Sequence, residues 1–170
     1  MSTPPRRADP LRMVADARTF FVTSSTHEKR NLLQSDRAAE LFLKVLHEYR
    51  GQGKYRLHEF VVMPDHFHLL LTLDREITIE RAVQFIKGGF AFRASRELRI
   101  KPFWQKGFSE VRIDDRQAFA RMREYIHDNP VKRRLATTRE EYPFSSACRG
   151  FDLDSPPAGL VDFPVLTRYG

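Results

Sequence analysis

Residues 54–73 read KYRLHEFVVMPDHFHLLLTL. The stretch holds two runs of aromatic, β-branched and leucine side chains, which favour extended backbone, broken by Pro64-Asp65, a pair that favours a turn. The reading is strand, tight turn, strand, hence an antiparallel hairpin. Upstream, ARTFFVTSST at 17–26 reads as another strand. Between them SDRAAELFLKVLHEYRGQG opens on Ser35 as an N-cap, with Leu41, Phe42, Val45, Leu46 and Tyr49 on one stripe, and predicts a helix stopped by Gly51 and Gly53. Downstream, Ile79, Val83, Ile86 and Phe90 space a helix over about 78–98, with Gly88-Gly89 marking close packing or a bend. FWQKGFSEVRI at 103–113 reads as a fourth strand. Asp114 with Gln117 suggests a capping box for a third helix, which Pro130 should end at Asn129. Beyond Tyr142 the chain turns proline- and glycine-rich and reads as a surface tail.

This order predicts an α+β fold of the ferredoxin-like or RNA-recognition type. Its antiparallel sheet of four to five strands carries helices on one face, plus a C-terminal helix that bears Tyr125. The expected division is an N-terminal arm over 1–17, one domain over 18–147 and a C-terminal tail over 148–170.

Composition narrows the partners. The 170 residues include 29 Lys+Arg against 22 Asp+Glu, a net charge of +7. Such an excess points to a polyanion, chiefly nucleic acid. Cys148 is the single cysteine, so an internal disulfide and a cysteine-built zinc site are both excluded. The longest apolar run is interrupted by proline, aspartate and two histidines, which excludes a membrane span. No continuous apolar stretch near the N-terminus suggests secretion, and a cytoplasmic, nucleoid-associated location is the expectation.

His66 and His68 stand two apart on a strand and therefore share one face, while Phe67, Leu69, Leu71 and Leu73 point to the other. The pair is expected to project from an edge of the sheet near the turn, both rings aimed at one spot. Two neutral imidazoles so placed can bind a divalent ion; two half-exposed strand histidines are the plainer reading. A histidine-triad hydrolase needs a third histidine where Leu70 stands, and a cupin needs a β-rich barrel. On the third helix Tyr125 and Asn129 lie four apart on one face, beside the apolar stripe of Phe119, Met122 and Ile126. Tyr125 could equally close the core edge, and Asn129 could cap the helix.

MPDHFHLLL, FWQKGF, YIHDNPVKRRL and EYPFSSA, in this order over residues 18–147, resemble the single-tyrosine HUH transposases, and among them the REP-associated tyrosine transposases. The resemblance implies His66 and His68 as a metal pair, Asn129 as its third ligand and Tyr125 as nucleophile. It implies Mg²⁺ or Mn²⁺ as cofactor and single-stranded or hairpin DNA as partner, cleaved and rejoined through a 5′-phosphotyrosine intermediate. A monomer or homodimer is expected. Trp104 is a candidate for base stacking and equally for the core, and Lys132, Arg133 and Arg134 are candidates for phosphate contacts or for solvating and capping a helix end. His27, His47, His58 and His127 are read as structural or surface residues. Two rivals share the topology: a DNA-hairpin-binding protein without chemistry, and an RNA-binding module. The second normally displays exposed aromatics on its central strands, where this chain has His66, His68, Leu70 and Thr72.

Overall fold

The computed structural model describes residues 17–162, so the expected N-terminal arm lies, but for Ala17, outside the described residues. Strand β1 spans Arg18–Ser25. Helix α1 spans Asp36–Gly51, and the Ser35 side chain accepts the Ala38 N–H at 3.2 Å, as a cap should. The hairpin forms from β2, Arg56–Val62, and β3, His66–Leu73. Helix α2 spans Ile79–Glu97, β4 spans Ser109–Ile113, and helix α3 spans Arg116–Lys132.

The strands form one antiparallel sheet in the order β2-β3-β1-β4. Both faces are covered. Phe42 and Leu46 of α1, with Ile86 and Phe90 of α2, bury Phe67, Leu69 and Leu71 on one face. Phe119 and Ile126 of α3 bury Val61, Leu70 and Ile113 on the other. All eight residues of β3 are therefore buried. Each large apolar side chain so covered contributes about 1.5–3 kcal/mol.

Several expectations need correction. β3 is an interior strand, so the histidine pair projects from a sheet face beneath α3 and not from an edge. β4 begins only at Ser109, because Phe103 and Trp104 sink into the α1–α2 layer and Gly107 takes φ +83°. The cap of α3 is Asp115, whose carboxylate accepts the Ala118 N–H at 2.7 Å; Asp114 instead pairs with Arg112. Helix α3 continues through Pro130 to Lys132. Within the last turn the proline ring is buried, and the N–H groups of Arg133 and Leu135 still reach the carbonyls of Asn129 and Pro130. One lost intrahelical bond is tolerable there.

The stretch after Tyr142 is no surface tail as far as Asp154. Phe144 O accepts the Val62 N–H, and the Ser146 N–H reaches Phe60 O. Asp154 brackets Leu57, its N–H on Leu57 O and its carboxylate accepting the Leu57 N–H. This segment satisfies the outer edge of β2, while Phe144, Phe151 and Leu153 pack against the core. A backbone edge left open would invite association with other chains.

Candidate catalytic site

The turn at Pro64-Asp65 starts β3, and the pleat then places His66 and His68 on the α3 face. Each ring is oriented through Nδ1. Asp65 Oδ1 lies 2.6 Å from His66 Nδ1, and Thr23 Oγ1 lies 2.7 Å from His68 Nδ1. Thr23 is the register partner of His68 on β1. With Nδ1–H donated to these oxygens, Nε2 of each ring carries its lone pair outward, the tautomer a metal ligand needs. The rings stand 4.8 Å apart. Burial, reinforced by His66 and Arg133, pushes the His68 pKa down to about 3. His68 is therefore a neutral imidazole at pH 7.

Tyr125 lies over this pair. Its ring is 5.2 Å from His68 and 5.8 Å from Phe21, in edge-to-face contact with both. Phe21 in turn stacks on His68 at 5.2 Å. The tyrosine remains 40% exposed, so its ring is packed while the residue stays open to solvent. The Lys132 ammonium sits 5.7 Å from its ring centroid.

Asn129 is 4% exposed and lies one turn beyond Tyr125. Arg133, one turn further, acts on His68 electrostatically. Asn129 thus lies one helical turn from Tyr125, the α3 residue whose ring packs on His68. It does not cap the helix; that position belongs to Arg133. Its Oδ1 and the Nε2 of His68 are both buried without a hydrogen-bond partner. A buried acceptor left unpaired is costly unless something else fills its valence. Two imidazole nitrogens and an amide oxygen fit a divalent cation. Among the described residues no three His, Cys, Asp or Glu side chains converge as a metal cluster.

The other sequence candidates divide. Lys132, Arg133 and Arg134 are exposed at the α3 end, and Arg133 borders a cavity of about 140 Å³ together with Asn31, Met63, Pro64, Asp65 and Leu135. Trp104 is elsewhere. It lies among Phe42, Phe67, Phe90 and Phe103 on the α1–α2 side, and its indole N–H donates to Lys87 O at 3.0 Å. That packing holds the indole partly buried on the sheet face opposite Tyr125. His27 is a surface residue, and His58 is buried, with Nδ1–H on Asp154 O and Nε2 accepting from Thr72. Sequence reasoning overlooked Thr23 and Asp65. Asp65 was visible beside His66, whereas Thr23 is 45 residues from His68 and only strand register joins them.

The family described as Transposase IS200 like matches residues 18–129. A REP-associated tyrosine transposase of Escherichia coli K12 is 25% identical over 129 residues, 75% of each chain. A Haemophilus influenzae protein given that name provisionally is 24% identical over 157 residues, covering 82% of this chain and 89% of its own. The solved structure of a REP-associated tyrosine transposase bound to a REP hairpin shares the fold, with TM-score 0.62 and 22% identity over 96% of this chain and 99% of that one. No helix among the described residues is long and apolar enough to cross a membrane. The chain belongs to the IS200-like transposase family, and the relatives it matches are REP-associated tyrosine transposases.

Proposed function

We propose that this protein cleaves and rejoins single-stranded DNA at palindromic hairpin elements, with Tyr125 as nucleophile. The observation that carries the reading is the placement of an exposed tyrosine against His68, above two buried acceptors, His68 Nε2 and Asn129 Oδ1, that lack partners. His66, His68 and Asn129 would hold Mg²⁺ or Mn²⁺. Such an ion supplies Lewis-acid polarisation of a phosphate oxygen. Asp65 and Thr23 keep both rings in the tautomer that presents Nε2.

Tyr125 Oη attacks phosphorus, its proton leaves, and the bond to the 3′ oxygen breaks. The products are a 5′-phosphotyrosine and a free 3′-hydroxyl. Because the ester bond is conserved, the 3′-hydroxyl of another strand can reverse the step without ATP. The Lys132 ammonium lies 5.7 Å from the centroid of the tyrosine ring, within reach of a phosphate bound there. Lys132, Arg133 and Arg134 supply cations along one side of the site for the DNA backbone.

The test uses a labelled REP-hairpin oligonucleotide with a single-stranded flank, incubated with Mn²⁺ or EDTA and run on a denaturing gel. A covalent adduct should form only with metal. Tyr125→Phe should abolish the adduct while hairpin affinity stays within about twofold, since the ring packing is kept. An adduct that survives the substitution removes Tyr125 from the mechanism. Binding without any adduct in the native protein favours the non-catalytic hairpin-binding reading.

A further inference from the structure

We infer that Glu59 and His127 form a clasp that sets the rotation of α3 about its own axis, making them positioning residues for Tyr125. The inference rests on the reading of Tyr125 as nucleophile.

It begins with an irregularity in β2. The register against β3 runs Arg56↔Thr72, Leu57↔Leu71, then Glu59↔Leu70, so His58 is an extra residue. Regular alternation after Leu57 would turn Glu59 toward the α1–α2 core. The bulge turns it instead to the α3 face, the side of its partner Leu70. There the Glu59 carboxylate lies 2.8 Å from His127 Nε2 of α3 and also accepts the Ser146 hydroxyl. Ser146 is anchored in turn, its backbone N–H on Phe60 O and its Oγ accepting the Phe60 N–H. The carboxylate and imidazole are only 14% and 17% exposed.

His127 follows Tyr125 by two residues, about 200° around the helix. The two side chains therefore leave α3 on opposite flanks, one toward β2 and one toward His68. Between them Phe119 and Ile126 make the apolar contact with the sheet. Apolar contact is non-directional and resists roll weakly; a hydrogen bond on one flank is directional. Other side-chain ties of α3 to later chain among the described residues, Arg139 to Asp128 and Glu124 and Arg116 to Asp162, are more exposed and weaker as restraints. Ser146 lies beyond the residues that the family matches, so this chain's later segment supports the nucleophile's helix.

The experiment compares Glu59→Ala, His127→Ala, their double variant and His127→Gln, whose amide can still donate to Glu59. Adduct formation on the labelled REP-hairpin oligonucleotide is measured in single turnover at saturating DNA and Mn²⁺, beside hydrogen exchange of the free protein. Both alanine variants should slow adduct formation at least tenfold with half-saturating DNA unchanged, since misplacement by about 1 Å can cost a hundredfold. The double variant should be no slower than either single one. His127→Gln should stay within about threefold of wild type. Exchange should quicken in α3 and stay unchanged in β1 and β3. Native rates in both alanine variants, or additive losses in the double variant, overturn the clasp. If the native protein forms no adduct, the proposed chemistry fails, and exchange alone decides: α3 protection unchanged in Glu59→Ala overturns the inference.

Discussion

At the scale of single residues, Asn129 carries the sharpest consequence. Its side-chain oxygen has no partner in the protein, so removing it sacrifices no internal hydrogen bond. Asn129→Ala should change the melting temperature of the metal-free protein by no more than about 2–4 °C, the equivalent of roughly 1 kcal/mol. Its effect should appear with metal present. Millimolar Mn²⁺ should raise the melting temperature of the native protein by ligation and raise that of Asn129→Ala less. Asp65→Asn should act on the same measurement from behind, weakening Mn²⁺ binding about 10–100-fold through His66. Equal metal-induced shifts in native protein and both variants would exclude these residues from a metal site.

At the scale of elements, the adjacent glycines of α2 separate two effects that sequence lumps together. A methyl group at Gly88 meets nothing within 4 Å, whereas one at Gly89 comes within 2.7 Å of Tyr49 Cε2. Tyr49 of α1 stacks on Phe85 of α2 at 5.5 Å, so making room disturbs the α1–α2 contact. Gly88→Ala should stabilise by up to about 1 kcal/mol from helix propensity. Gly89→Ala should forfeit that gain and end at least about 1 kcal/mol less stable than Gly88→Ala. Urea unfolding of the two variants measures the difference, and equal stabilities would mean that Tyr49 moves aside freely. Of the two readings offered for this pair, close packing belongs to Gly89 alone.

For the whole molecule, the polar groups that join β2 to the later chain make stability depend on pH. Burial holds the His58 pKa below the ordinary 6.5. A histidine kept neutral in the fold contributes stability that is complete above its unfolded pKa and lost as pH falls. Asp154 is held below 3.8, chiefly by its hydrogen bond from Arg50. Its contribution is present above that value and disappears as pH drops through the depressed pKa. Melting temperature should therefore fall in two stages, one beginning near pH 6.5 and a steeper one below about pH 4. His58→Gln should shrink the first stage, leaving the share of His68, whose pKa is also held down, and Asp154→Asn should shrink the second. A melting temperature constant from pH 7 to 5 in the native protein would contradict the role given to His58.

What the chain determines by itself is whatever depends on local spacing. Period two in HFHLLLTL separates the histidines from the core leucines, and the helical stripes of α1 and α2 and the Ser35 cap were legible in the same way. Tyr125 and Asn129 were legible as one helix face for that reason as well. Tertiary structure decided what depends on residues far apart in the chain. It chose the face that α3 covers, the Thr23 partner of His68, the burial that keeps Asn129 Oδ1 unpaired, and the fate of residues 143–154. Local pattern also misjudged Pro130 as the end of α3. The energy of burying a ring against a sheet is not encoded in the neighbouring residues, and it outweighs a lost helical bond. The same holds for the bulge at His58. One extra residue reverses which side of β2 meets α3, and only pairing with β3 reveals it.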